Sequence, residues 1–237
     1  MRGFLGLCVA AMCLMGVFPP HAVATTLSSD APDTVRQDLY RAHAGDVESM
    51  HGVASWLIDQ SVTRDDEMAS LAFGWALLAA RNGHAQAAEL TGVMYREGTG
   101  VPQNFVKSRK WLERALARGS REANFELAIL YASEDNPGMD QVKSARYLTE
   151  AIRTSEPRAC LIAARNKITQ GVELRQALGE VKCAAEGGIP EAMEMVAEYH
   201  LSKRSPQSAA QARVWLMRAI QEGSQTAADK LAALENQ

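Results

Sequence analysis

Small and large apolar residues recur at spacings of three and four along most of the chain, with polar residues between them. The stretches "AAELTGVMY" (87–95) and "ANFELAILY" (123–131) each have an alanine at the start, the pair Thr-Gly or Leu-Ala four and five positions later, and a tyrosine at the end. Residues spaced in this way share one face of a helix, so the pattern predicts amphipathic helices. Because helix-favouring Ala, Leu, Glu, Arg and Gln are abundant and only eight prolines occur, we expect helix nearly throughout.

The apolar pattern is interrupted at regular intervals by residues that can stop a helix. These stops are spaced by 36, 36, 32 and 36 residues, at Gly83, Gly119, Ser155, Gly187 and Gly223. A small residue lies four positions before each stop, at Ala79, Ala115, Ala151, Cys183 and Ala219. An aromatic residue lies four positions earlier still in all but the fourth unit, at Trp75, Trp111, Tyr147 and Trp215, whereas the fourth has Gly179.

This periodicity predicts pairs of antiparallel helices that must stack, because no single pair can bury its apolar face alone. We therefore predict an all-α fold, a right-handed α-solenoid that forms one continuous domain. The predicted helix pairs occupy 46–83, 84–119, 120–155, 156–187 and 188–223. Capping helices are expected within 25–45 and 224–237.

The loop Gly98-Thr99-Gly100, just before a helix, is similar to loops that bind phosphate. The equivalent loops are "EDNPG" in the third unit and "KRSP" in the fifth, so the glycines are not a fixed feature. A phosphate loop would also follow a strand, and the pattern predicts none. We interpret the loop as a hinge between two helices.

These residues together resemble a Sel-one-like repeat, a relative of the tetratricopeptide repeat. The second repeat fits that pattern at Gly98, Gly100, Val101, Trp111, Ala115 and Gly119. It departs from the pattern at two positions, with Asn104 where Asp is usual and Ser108 where Ala is usual. The resemblance covers about residues 45–223. It implies a scaffold that binds another protein, as an adaptor in an envelope complex, an immunity protein against a toxin, or a secreted factor directed at host proteins.

The N-terminus has the features of an exported protein. One positive charge at Arg2 precedes an apolar run from about Phe4 to Phe18, and "HAVA" ends at Ala24. This is typical of a secretory signal peptide at 1–24, cleaved after Ala24, although an uncleaved anchor is the alternative. We expect a periplasmic or secreted product with no later membrane segment.

Charge and motifs exclude several classes of function. The formal charge of −3 becomes −4 once Arg2 is removed, which does not suit a nucleic-acid-binding protein. No motif of a zinc protease, a serine hydrolase or a nucleotide-binding loop occurs, so we expect no enzyme activity, cofactor or small-molecule substrate.

His43, His51, His84 and His200 lack ligand spacing, so we expect no metal site, and His84 is predicted to lie on the surface. Asp65, Asp66 and Glu67 are interpreted as the first turn of a helix rather than a cation site.

The two cysteines of the mature chain, Cys160 and Cys183, lie about equally far from a predicted turn at Gly171. In an antiparallel helix pair such residues face each other, so a disulfide is expected in the oxidising compartment outside the cytoplasm. The alternative is that both are small buried residues that never bond, since Cys183 replaces an alanine of other repeats.

In a helical solenoid the first helix of each pair lines the concave face, which is where such proteins bind a partner. Phe125 is expected to be an apolar anchor there, or else to pack between repeats. The fourth repeat presents Arg158 and Arg165 on this face, whereas the fifth presents acidic residues. This charge pattern would select a partner by complementary charge, unless these charges complement neighbouring repeats. The residues predicted to form this first-helix face are Glu48, His51, Gln86, Glu89, Val93, Arg96, Glu122, Phe125, Ile129, Arg158, Leu161, Arg165, Glu191, Glu194 and Glu198.

The sequence therefore favours an exported protein-binding scaffold. A non-catalytic peptidoglycan-binding module is the alternative, followed by a weak β-lactam or cell-wall hydrolase. The absence of a recognisable activated nucleophile disfavours the hydrolase.

Overall fold

The fold is all-α, as predicted. A computed structural model describes residues 32–61 and 67–235, so the predicted signal peptide and Asp65 and Asp66 lie outside the described residues. Within these ranges there is no strand, and no helix is both long and apolar enough to cross a membrane. The described helices are α1 (Asp33–His43), α2 (Val47–Gln60), α3 (Glu67–Arg81), α4 (Ala85–Glu97), α5 (Phe105–Ala117), α6 (Ala123–Ala132), α7 (Gln141–Arg153), α8 (Pro157–Thr169), α9 (Leu178–Glu186), α10 (Pro190–Leu201), α11 (Pro206–Gln221) and α12 (Gln225–Glu235).

The helices pack against their neighbours in sequence, as expected for a helical repeat. Helix α2 packs on α3, α4 on α5, α8 on α9 and α10 on α11, and each of these is a predicted helix pair. Successive pairs are joined by contacts of α3 with α4 and of α9 with α10. Helices α1 and α12 pack on α2 and α11, at the places where capping helices were expected.

The described residues group into two compact units by their contacts. Unit 1 extends to Ser144 and unit 2 begins at Ala145, so the boundary falls within α7 and divides the predicted third pair. The core of unit 1 is built on residues such as Leu57, Trp75 and Met94. The core of unit 2 is built on residues such as Val181 and Leu216.

A shared backbone motif ends the second helix of every pair. The stop residue has a positive φ, and the next residue donates its N–H to a carbonyl five positions back, as in a Schellman motif. In the first pair, for example, Gly83 has φ 103° and His84 N–H donates to the Ala79 carbonyl at 3.1 Å. Ser155 takes the same left-handed conformation, with φ 59°, in the third pair.

This motif corrects the predicted register of the fourth pair. There the left-handed residue is Gly188, with φ 90°, and Ile189 N–H donates to the Ala184 carbonyl. The stop is therefore Gly188 rather than Gly187, and Ala184 rather than Cys183 occupies the position of the small residue. The two adjacent glycines concealed this shift of one residue in the sequence.

The Gly98–Gly100 loop is a tight turn against another helix. Gly98 ends α4 with φ 75°, and Asn104 caps α5 by accepting a hydrogen bond from Lys107 N–H at 2.9 Å. A Cβ atom on Gly100 would lie only 2.1 Å from the carbonyl oxygen of Ala69, so only glycine fits this close approach. The glycines thus have a structural reason that does not involve phosphate.

Candidate functional site

The first-helix face contains both exposed and buried residues. Seven of its fifteen predicted members are exposed, namely Glu48, Gln86, Glu122, Arg158, Arg165, Glu191 and Glu198. Six are half-buried, namely His51, Glu89, Val93, Arg96, Ile129 and Leu161. The remaining two, Phe125 and Glu194, are buried.

Phe125 is not an anchor on the surface. Its exposed fraction is only 4%, which corresponds to the alternative that it packs inside the repeat array. The reason lies in α6, where eight of ten residues are buried, so this helix has no wide solvent-facing side. Projection of a single exposed face was therefore wrong for this residue.

One position of the first helix faces the start of the next repeat, and it is occupied by Glu89 in the second repeat and by Glu194 in the fifth. At this position, Glu89 accepts a hydrogen bond from the Ser120 hydroxyl, which lies just ahead of α6. Glu194 does the same for the Ser224 and Thr226 hydroxyls, each at 2.6 Å. These carboxylates hold neighbouring repeats together instead of facing solvent freely.

Arg96 is held in a similar way by a residue that the sequence analysis did not single out. Its Nη1 donates to Glu126 Oε2 at 2.5 Å, and its Nη2 donates to Glu97 at 2.9 Å. The side chains of Arg96 and Glu126 are 11% and 4% exposed, so this ion pair is largely buried. The signal that could have indicated it is an acid on the apolar helix "ANFELAILY".

The charges of unit 2 also pair with one another. Arg165 donates two hydrogen bonds to Glu191 of the next first helix, and this interaction raises the pKa of Arg165. Arg158 contacts Glu156 at 2.7 Å, and Glu198 accepts a hydrogen bond from Lys230 at 2.6 Å. The basic and acidic repeats therefore complement each other, as the alternative interpretation held.

A disulfide joins Cys160 of α8 to Cys183 of α9, as expected from the sequence. The Cα atoms lie 6.0 Å apart, which is within the usual range for a disulfide. Cys160 is buried in the core of unit 2, so the bond connects the two helices of the fourth pair at their packed face.

Three side chains that were not expected to form a metal site converge in unit 1. Glu48 and His51 lie on α2, and His84 is the N-cap of α4. Contrary to the surface position predicted for it, the His84 side chain is only 11% exposed. Its Nε2 lies 2.9 Å from Glu48 Oε2, and its ring stacks on that of His51 with centroids 4.6 Å apart.

The electrostatics of this cluster favour a neutral His51. Burial lowers the pKa of His51, and the nearby His84 lowers it further, whereas Glu48 acts in the opposite direction. The three side chains each offer a ligand atom, and these atoms lie within 4.8 Å of one another. The group therefore has a composition that could hold a metal ion. Sequence reasoning missed it because Glu48 and His84 lie 36 residues apart, which is one repeat.

Comparisons with known proteins agree on the type of repeat. The family model of the Sel1 repeat matches residues 47–84, 85–120 and 190–224. A search of curated proteins found no match. The matched segments correspond to the first, second and fifth predicted pairs, and the model matches neither the third nor the fourth.

Several solved structures share the fold. A Sel1 repeat protein from Oxalobacter formigenes superposes with a TM-score of 0.59 and 19% identity, over 84% of this chain and 89% of that chain. An immunity protein from Pseudomonas aeruginosa gives 0.57 and 18%, over 77% and 68%. A protective antigen with an SLR fold, present in uropathogenic Escherichia coli strains, gives 0.55 and 20%, over 84% of this chain and 43% of the antigen. The chain therefore contains Sel1 repeats, and it shares the helical-repeat fold of these structural neighbours.

Proposed function

We propose that this protein is an exported, non-catalytic scaffold that binds a protein partner through the part of the first-helix face that lies in unit 1. The observation that carries the proposal is a repeated row of accessible side chains in unit 1. One position of the first helix is exposed in two consecutive repeats, where it is occupied by Gln86 and Glu122. A second position is half-buried in the same two repeats, where it is occupied by Val93 and Ile129. Apolar side chains between polar ones are the composition of a protein-binding surface.

The hydrogen bonds between repeats support this function because they fix the charged side chains beside the row. Glu89 is held by Ser120, and Arg96 is held by Glu126 and Glu97. A surface whose side chains are already ordered loses less entropy when a partner binds. The exposed polar side chains can then select the partner by complementary charge.

The proposed location rests on the disulfide and on the expected signal peptide. A disulfide such as Cys160–Cys183 forms and persists outside the cytoplasm, in the periplasm or after secretion. An adaptor of an envelope complex and a toxin-immunity protein are both forms that the scaffold function can take. The resemblance in fold to an immunity protein is compatible with the second form.

Site-specific photo-crosslinking in the cell envelope tests the proposal. A photoreactive amino acid would replace Val93 or Ile129, and a matched control would replace Val106, which is 58% exposed on the second helix α5. We expect one dominant crosslinked protein from positions 93 and 129 and little from position 106. Mass spectrometry of that protein would identify the process in which the scaffold acts.

A second arm uses Glu122→Arg, with Lys110→Glu on α5 as the control. Because Glu122 is exposed, its reversal should reduce capture without unfolding unit 1, which circular dichroism would check. Equal capture from positions 93 and 106 would refute the first-helix face as the binding surface. Capture of sacculus fragments alone would favour the peptidoglycan-binding alternative.

A further inference from the structure

We propose that Glu48, His51 and His84 form a binding site for a first-row divalent metal ion of the Zn²⁺ type. Glu48 and His51 also belong to the first-helix face, but metal binding by this cluster does not require a protein partner. It rests on three ligand atoms that lie within 4.8 Å of one another, two from imidazoles and one from a carboxylate. These are the donors that Zn²⁺ prefers, and three protein ligands with an open fourth position are the arrangement of many accessible zinc sites.

The repeat architecture brings the three residues together. Glu48 and His51 are three residues apart, so they project from one face of α2. His84 follows the left-handed turn at Gly83 and is the first residue of the next repeat, where it caps α4. The site therefore joins two consecutive repeats, at a place where other repeats use a carboxylate and a serine, such as Glu194 and Ser224.

Metal binding requires a small rearrangement of the cluster. Tetrahedral Zn²⁺ at about 2.0–2.1 Å from each nitrogen or oxygen places its ligand atoms about 3.4 Å apart. Glu48 Oε2 and His84 Nε2 are already closer than this, at 2.9 Å, and the Glu48 side chain is 84% exposed and free to move. The two rings are inclined by only 21°, so the half-buried His51 ring must rotate until its lone pair meets that of His84.

The proton on His84 must also move. Its Nδ1 accepts a hydrogen bond from Ala87 N–H at 3.1 Å, so Nε2 carries the proton and donates it to Glu48. For Nε2 to bind a metal ion it must release its proton, and Nδ1 takes up one proton in exchange. The ring is then neutral with its proton on Nδ1, so the Ala87 amide loses its hydrogen-bond acceptor. Glu48 exchanges its hydrogen bond for a bond to the metal, so its carboxylate keeps a partner.

Isothermal titration of the untagged, disulfide-bonded mature chain with ZnCl₂ tests this site. We expect one Zn²⁺ per chain, a raised melting temperature, and no comparable response to MgCl₂, because Mg²⁺ prefers an all-oxygen site. Glu48→Gln and His51→Ala should each weaken Zn²⁺ binding by about tenfold or more.

His84→Asn is the decisive variant because asparagine is a favourable N-cap residue and keeps α4 intact while it removes the imidazole. His200→Ala, which changes a half-buried histidine of unit 2, is the matched control and should bind Zn²⁺ like the unmodified chain. The proposal is overturned if the unmodified chain does not bind Zn²⁺ at micromolar concentration. It is equally overturned if His84→Asn and His51→Ala bind as tightly as His200→Ala, since the ion would then be held elsewhere.

Discussion

Glu194 illustrates, at the scale of the single residue, how a buried charge can hold two repeats together. Its side chain is 12% exposed and accepts hydrogen bonds from Ser224, Thr226 and Lys230. Hydrogen bonds to a charged group contribute about 1.5–3 kcal/mol, and buried donors left without their acceptor cost further free energy. All three of these partners lie beyond α11, and Thr226 and Lys230 are on α12, so the carboxylate joins α10 to α12.

We expect Glu194→Ala to lower the free energy of unfolding of unit 2 by about 2–3 kcal/mol at pH 7. Burial acts to raise the pKa of Glu194, but hydrogen bonds from Lys230, Ser224 and Thr226 outweigh it and hold the pKa below its ordinary value of 4.5. A lowered pKa stabilises the fold fully above the unfolded value, and this stabilisation is lost as the pH falls through the folded value. The difference between wild type and variant should therefore narrow below about pH 4.5.

Native-state hydrogen exchange of the α10 amides at pH 7, with urea denaturation at pH 7 and pH 3, would measure this effect. Glu191→Ala on the same helix is the control, because Glu191 is exposed and its pair with Arg165 should contribute about 1 kcal/mol or less. Equal destabilisation by the two substitutions at pH 7 would contradict the role assigned to Glu194.

The sequence could predict which residues lie on the first helices but not which atoms they meet. Glu89 and Ser120 are 31 residues apart, and nothing in either residue indicates that they touch. Contacts of this kind depend on how stacked helices are rotated and shifted relative to each other. The repeat period in the sequence carries no information about this rotation and shift. The cluster of Glu48, His51 and His84 escaped prediction for the same physical reason.

At the scale of the element, Gly92 allows α4 to pack closely on α5. A Cβ atom at this position would lie 2.7 Å from Leu112 Cγ and 3.2 Å from the Leu112 backbone nitrogen. Leu112 is fully buried, so it has little room to move away. The distance between the two helices therefore depends on this residue having no side chain.

We expect Gly92→Ala to lower the free energy of unfolding of unit 1 by about 1–3 kcal/mol, because the extra methyl group overpacks the core. Gly52→Ala on α2 is the matched control, since its Cβ would meet Asp38 at an ordinary 3.5 Å. That substitution should be neutral or stabilise by up to about 1 kcal/mol, as alanine favours helix. Thermal unfolding of both variants would test this, and a Gly92→Ala protein as stable as Gly52→Ala would refute it.

The helices themselves were predictable because they depend on local spacing and on stop residues, both of which the sequence displays. The fourth pair was placed one residue out of register, since Gly187 and Gly188 are adjacent and only backbone conformation distinguishes them. Phe125 was misplaced because α6 is buried on most of its surface, and a buried helix has no single solvent-facing side from which to project residues.

At the scale of the whole molecule, the chain has two compact units, each with its own core. The repeat period did not indicate this division, because the period is nearly constant whereas burial is not: α7, where the boundary falls, buries only Ala151. Cys160–Cys183 lies wholly within unit 2. Its effect on stability should therefore be confined to that unit.

Reduction of the disulfide removes a cross-link that closes a sequence separation of 23 residues. The chain-entropy model assigns such a loop about 3 kcal/mol. We expect reduction, or the variant with both Cys160→Ala and Cys183→Ala, to speed amide exchange in α8–α11 while exchange in α2–α5 stays unchanged. When produced without residues 1–24, the double variant has no thiol and should not respond to reductant, which makes it the control for the reductant itself. Faster exchange in α2–α5 on reduction would mean that the two cores unfold as one cooperative structure, and the division into units would then have no energetic counterpart.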